Sequence, residues 1–311
     1  MDGQIEKKLN MSQLSLIVKH EFLTDIRSKG FWIGTLIVPL IIIGFGTVFG
    51  LLASESDTFM KASESLSTTP DPEEMTMAKG AGMLLGMFLT FFLMIYGASI
   101  FNKVKVEKSN RIMEILSTCV DGKTMMLAKI IAVGLTGLVQ LLVWSSFIIL
   151  GITLVFMIFP FAIPFDLLSN PKLYMAILYM LLYFIGGYIL YGSLYAACGA
   201  ITDKDGENQT YMSVLTFILL GAFYIGQFAV DNGDSVLATA CNYIPFTSPT
   251  VGTINAVSGV SPWWQTLVSL LILYAGAAIC IIFAGKLYRS SLLLKGKQLT
   301  PKDIITFMRA Q

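Results

Sequence analysis

Glu107-Lys108-Ser109-Asn110-Arg111-Ile112-Met113-Glu114-Ile115-Leu116 is a polar island in an apolar chain, and its placement decides the fold. Uncharged runs at 80–101 and 130–165 flank it on either side. The segment is too charged for lipid and too patterned for a linker. Glu107, Arg111 and Glu114 follow i, i+4, i+7 spacing and share one helical face, while Ile112, Ile115 and Leu116 fall mostly opposite. Such a helix can rest on a membrane and present charge to a soluble domain. It can equally be a solvated helix held by a Glu107–Arg111 pair, which is worth about 0.3–0.5 kcal/mol. The pattern alone leaves both readings open.

Composition sets the class. Of the 311 residues, 55% are hydrophobic and only 13% are charged, against about 25% charged in a soluble domain. A spanning helix needs roughly 20 apolar residues. Uncharged runs of sufficient length lie at 30–53, 80–101, 130–165, 173–202, 210–230 and 235–285. No alternating pattern of a membrane β-barrel is present. The expected fold is an all-α polytopic membrane protein with six transmembrane helices and both termini in the cytoplasm. With that topology 18 of the 21 Lys and Arg residues are cytoplasmic, and only Lys61, Lys79 and Lys172 fall outside.

The segments then run as follows. An amphipathic surface helix covers 12–29, with Leu14, Ile17, Val18, Phe22 and Ile26 on one face and Lys19, Glu21, Asp25 and Arg27 on the other. The alternative is a cytoplasmic extension of the first span. The spans are 30–53, 80–101, 125–159, 172–201, 210–230 and 263–286. An outer loop fills 54–79, a cytoplasmic coupling segment 102–124, and a basic cytoplasmic tail 287–311. The run at 130–165 is read as one long helix broken at Pro160 and Pro164, because two crossings would put the basic tail outside. Residues 235–262 carry Asn242, Pro245, Pro249, Gly252, Asn255, Gly259 and Pro262, which break helices. They are read as an outer re-entrant hairpin, with Trp263 and Trp264 at the outer interface. Gly46/Gly50 and Gly82/Gly86 are spaced for close helix contact.

Missing chemistry narrows the function. His20 is the one histidine, and no metal-ligand spacing occurs among the His, Cys and carboxylate residues. With one of the four cysteines, Cys241, expected outside, no intrachain disulfide is expected. The first apolar run starts at residue 30 and reads as a span, so a cleavable signal peptide is not expected. No ionisable residue is expected deep in a span, which argues against a proton relay or an intramembrane protease. Asp121-Gly122-Lys123-Thr124 is no phosphate loop, since Ser117 stands where the leading glycine belongs. The chain therefore reads as a non-enzyme with no cofactor of its own.

VEKSNRIMEILSTCVDGKTMMLAKII at 106–131 resembles the stretch after the second span of ABC-2 type permeases, the membrane subunits of ATP-binding-cassette exporters. Glu107, Lys108, Ser109, Arg111, Met113, Glu114, Leu116 and Lys129 carry the match. YGSLYAACGAITDKDGENQ at 191–209 resembles the family's fourth span and acidic inner turn. YIPFTSPTV at 243–251 and GKLYRSSLLLKGKQLTPKDII at 285–305 resemble the outer Pro-Phe element and basic tail of the sodium-extruding, Nat-type branch. Many members of that branch carry a sizeable extracellular domain where this chain has only residues 54–79.

The resemblance implies a type V exporter-like permease in the inner (cytoplasmic) membrane of a prokaryote. Its implied partners are ABC ATPase subunits that bind ATP and Mg, a second permease copy or paralogue, and membrane lipid, with no nucleic acid. Glu107, Lys108, Arg111, Met113, Glu114, Glu21 and Arg27 become the expected ATPase-coupling residues. Pro245, Phe246 and Pro249 become an outer gate, and Tyr188, Tyr191 and Tyr195 a candidate pathway wall. The expected cargo is an amphiphile (peptide, drug or lipid) or sodium. The competing reading is a non-transporting scaffold or immunity protein that sequesters a toxic peptide.

Overall fold

The computed structural model describes residues 2–54, 72–109, 122–158, 171–202, 209–231 and 235–293. The described residues form helices: α1 Asp2–Arg27, α2 Lys29–Ser54, α3 Pro72–Ser109, α4 Gly122–Ile158, α5 Pro171–Ile201, α6 Gln209–Asp231, α7 Val236–Tyr243, α8 Ser248–Val257 and α9 Trp263–Leu293. Among the described residues five stretches are long and apolar enough to cross a membrane: Lys79–Lys108, Thr124–Phe147, Tyr174–Ile201, Thr210–Val230 and Trp263–Tyr288. In α2 the described apolar stretch is the shorter Lys29–Ile41, although the whole of 30–53 is helical.

The N-terminal helix packs two of its carboxylates differently from the expected amphipathic pattern. α1 leads into α2 through Ser28 alone, whose hydroxyl accepts from Phe31 N–H at 3.2 Å and so caps α2. α1 packs along α4, and Glu21 and Asp25 turn inward to cations there instead of facing solvent with Lys19. A pair of carboxylates one turn apart goes where positive charge is buried, and that overrides the amphipathic pattern. The exposed face holds Leu16, Lys19, His20, Thr24 and Arg27.

α5 is the axis of the bundle, packed against α3 on one side and α9 on another. Lipid gives helices no water-exclusion drive to associate, so close packing must do it. Glycines supply the approach. A Cβ on Gly199 would lie 2.7 Å from Phe101 O, so α5 touches the backbone of α3 there. Gly82 and Gly86 meet Ser258 and Ile254 of α8, so the pair serves contact with the hairpin. The surroundings of Gly46 and Gly50 lie outside the described residues.

The helices α7 and α8 form a hairpin seated among α3, α5, α6 and α9. Pro249 caps Gly187 of α5 and Pro245 caps Gly276 of α9. These glycines sit near the middle of the apolar stretches Tyr174–Ile201 and Trp263–Tyr288. The hairpin tip therefore lies at mid-span level. α8 ends with Gly259 at φ 71°, the left-handed conformation that favours glycine, and Val260 N–H donates to Asn255 O at 3.0 Å.

Gly199→Val should force α3 and α5 apart and lower the unfolding midpoint of the detergent-solubilised protein, with a cost of about 1–3 kcal/mol. Gly221→Ala has nothing within 4 Å of the new methyl group and should leave the midpoint equal or higher. A fluorescence-based thermal unfolding scan measures both.

Candidate functional site: a buried ion network

One end of the bundle gathers Lys103, Lys105, Glu107 and Lys108 of α3, Lys129 of α4 and Lys286 of α9. Trp263 and Trp264 mark the other end, 68% and 50% exposed. The centre of the charged end is Lys129, only 2% exposed. Its ammonium donates to Glu107 Oε1 and, at 3.2 Å, to Glu21 Oε1. Lys103 donates to Glu21 Oε2 at 3.1 Å and to Asp25 Oδ2 at 2.7 Å. Thr136 Oγ1 donates to Asp25 Oδ2 at 3.2 Å.

Three carboxylates and two ammonium groups thus tie α1, α3 and α4 together. Helix geometry sets the spacing: Glu21 and Asp25 are one turn apart, as are Lys103 and Glu107. Glu107 Oε2 is buried with no hydrogen-bond partner among the described residues. Burial pushes the Glu21 carboxyl up, but the Lys129 and Lys103 charges and their hydrogen bonds outweigh it and hold the carboxyl below its ordinary value.

The network changes several sequence expectations. Ionisable side chains sit near the ends of the long apolar helices: α3 runs unbroken through Lys103 and Glu107 to Ser109, and Lys129 lies near the start of Thr124–Phe147. Glu107 pairs with Lys129 across helices. Arg111, Met113 and Glu114 lie outside the described residues. Lys108 donates to Ile201 O at 3.3 Å, which joins α3 to the end of α5. Arg27 is exposed next to the network. Sequence reasoning missed Asp25, Lys103, Lys129 and Thr136 as members of one site. The one-turn spacings were visible, but which lysine meets which carboxylate depends on how α1 crosses α3 and α4.

The remaining expected sites sit elsewhere. Tyr188, Tyr191 and Tyr195 are buried in the bundle. Their hydroxyls bond Ile130 O at 2.6 Å, Phe246 O, and Thr216 Oγ1 at 3.2 Å respectively. In this arrangement they fasten α5 to α4, to the hairpin tip and to α6. Phe246 is 39% exposed at that tip, whereas Pro249 is buried. Among the described residues no group of three or more His, Cys, Asp or Glu could hold a metal.

Residues 60–286 match the family model described as ABC-2 family transporter protein. The chain belongs to that family. The ABC-2 membership makes the apolar helices those of a multi-pass membrane protein with a transport-related role, and members of the family generally work with ABC ATPase partners. The chain is 25% identical to the uncharacterized protein YhaP of Bacillus subtilis over 253 residues, covering 76% of this chain and 57% of that protein. It is 26% identical to the uncharacterized protein MJ1024 of Methanocaldococcus jannaschii over 223 residues, covering 71% and 52%. The chain thus spans just over half the length of these curated relatives. No solved structure matches.

Lys129→Met should leave Glu107 without its cation, while Glu21 keeps Lys103. Breaking a buried pair costs about 3–5 kcal/mol; the cost here should be smaller, because Glu21 and Glu107 keep 20% and 17% exposure. Adding Glu107→Gln to Lys129→Met should recover much of the loss in the same unfolding scan.

The depressed Glu21 carboxyl also fixes the sign of a pH effect. Its contribution is complete above the ordinary carboxylate value and is lost as pH falls through the lowered folded value. Glu21→Gln should therefore be less stable than the parent at neutral pH, with the difference shrinking on acidification below about pH 4.5. Unfolding midpoints measured across that window test this.

Proposed function

We propose that this ABC-2 protein is the permease subunit of an ATP-driven exporter in a prokaryotic cell membrane, with ATP and Mg bound by a separate ATPase subunit. The observation that carries this reading is the charged end of the bundle. There a buried ion network joins three helices directly beside the polar island, which continues from α3. A rigid joint at that point transmits a push on the island into α1, α3 and α4 together. ATP binding in the partner would favour one arrangement of these helices over another.

On this reading α2 supplies the sixth span, both termini are cytoplasmic, and the α7–α8 hairpin re-enters from the outer face. The mid-span position of Pro245 and Pro249 supports that placement. The bundle interior is filled by aromatic side chains: Phe92 stacks on Tyr96 and meets Phe184 edge-on. Cargo would therefore pass between two permease chains, along their hairpins. Sodium and an amphiphile remain the two cargo classes, and uptake assays in inverted vesicles with each would separate them.

The coupling claim is tested with Glu114→Lys in the permease co-reconstituted with its ABC ATPase. The variant should remain monodisperse and inserted but lose most of the permease-dependent stimulation of ATP hydrolysis. Stimulation equal to the parent's would count against docking through this segment. Purification of the parent without any ATPase would favour the scaffold role instead.

A further inference from the structure

The hairpin carries a second polar feature unrelated to the ion network. Ser248, Gly252 and Asn255 follow i, i+4, i+7 spacing and line one face of α8. That face meets α5, where a Cβ on Gly252 would strike the Tyr183 ring and hydroxyl. The Tyr183 hydroxyl reaches toward Thr266 O of α9 at 3.4 Å. Ser269 of α9 donates to Asn242 O of α7. A seam of uncharged oxygens thus runs between α8 and its neighbours α5, α7 and α9.

Most of its side-chain oxygens are unmatched. Asn242 Oδ1, Ser248 Oγ and Asn255 Oδ1 have no hydrogen-bond partner among the described residues, although these residues are 1%, 0% and 3% exposed. Ser258 Oγ, at the far end of α8, is unmatched as well. Buried polar groups inside a membrane bundle find partners or are costly. Three unmatched oxygens along the seam, with Ser258 Oγ turned toward Gly82 of α3, point to a ligand that can both donate and accept at several places. Water does this with two to four bonds per molecule. The seam holds no charged group, so an ion would gain no carboxylate ligand there.

We propose that the hairpin is hydrated: internal water enters at the α8–α9 turn and reaches Ser248 at mid-span level. The entry is marked by exposed Gly259 and by Trp263 and Trp264 beside it. The ten residues of α8 rise about 15 Å, half of a hydrocarbon core about 30 Å thick. The seam is thus an aqueous half-path along one side of the hairpin. It deepens the exporter reading by giving the hairpin a polar track toward the tip. It rests on that reading only for which membrane face the entry opens to.

The test uses single cysteines in the full chain with Cys119, Cys198, Cys241 and Cys280 replaced by alanine. Ser248→Cys and Asn255→Cys are exposed to a membrane-impermeant methanethiosulfonate in sealed vesicles of both orientations. Leu219→Cys, at a fully buried apolar position in α6, is the dry control, and Ser261→Cys marks the entry. A thiol in a dry apolar site stays protonated and inert, so the two seam positions should label on the order of tenfold faster than Leu219→Cys. They should label from the same side as Ser261→Cys. Labelling no faster than the control, or only from the opposite side, overturns the proposal. If Ser261→Cys labels from the cytoplasmic side together with the seam, the hydrated path stands and the assigned topology fails.

Should the seam variants not fold, radiolytic hydroxyl-radical footprinting of the unsubstituted protein reads the same property. Tyr183, beside the seam, should be oxidised more than Tyr195, which bonds Thr216 between α5 and α6. Equal or lower oxidation of Tyr183 overturns the proposal.

Discussion

The ammonium of Lys129 is the constraint around which the charged end is built. It sits at the entrance of a long apolar helix with almost no contact to solvent. A buried cation without partners is untenable, and here its partners come from two other helices, Glu21 from α1 and Glu107 from α3. The carboxylates in turn need Lys103, which also holds Asp25. Each charge therefore fixes the position of a helix that carries another. The N-terminal helix is drawn against α4. Glu107, the first residue of the polar island, is itself part of that joint.

At mid-span the holding forces are different in kind. Proline rings fill the notches left by Gly187 and Gly276, and Tyr191 bonds the carbonyl of Phe246 at the hairpin tip. These are contacts of shape and of single hydrogen bonds. Around them lies a band of hydroxyl and amide groups, including the Thr90–Thr250 pair at 3.2 Å. The bundle thus has a charged end and a polar, uncharged middle joined by the apolar bodies of α3, α5 and α9.

Much of this layout is legible in the amino-acid order. Run lengths and the absence of charge in the apolar stretches announce the long helices. The proline and glycine density of 235–262 announces an interrupted segment before the last of them. The Gly82/Gly86 spacing announces a close contact, but its partner, the hairpin helix α8, is not inferable from spacing. The one-turn spacing of Glu21 with Asp25 and of Lys103 with Glu107 is visible too. Amphipathic pattern pointed those carboxylates toward solvent, because local periodicity registers polarity and cannot register a buried cation contributed by a helix more than a hundred residues away.

The sequence by itself determined an all-helical membrane protein of the ABC-2 kind, with charge sorted to particular segments. Composition and run length control partition into lipid, and those are properties of the chain. Only the tertiary structure decided which charges pair, that Tyr188, Tyr191 and Tyr195 bond neighbouring helices and the hairpin, and that the hairpin tip packs beside the middle of α5 and α9. Those outcomes depend on distances of a few ångströms between helices remote in sequence, and such distances are set by packing.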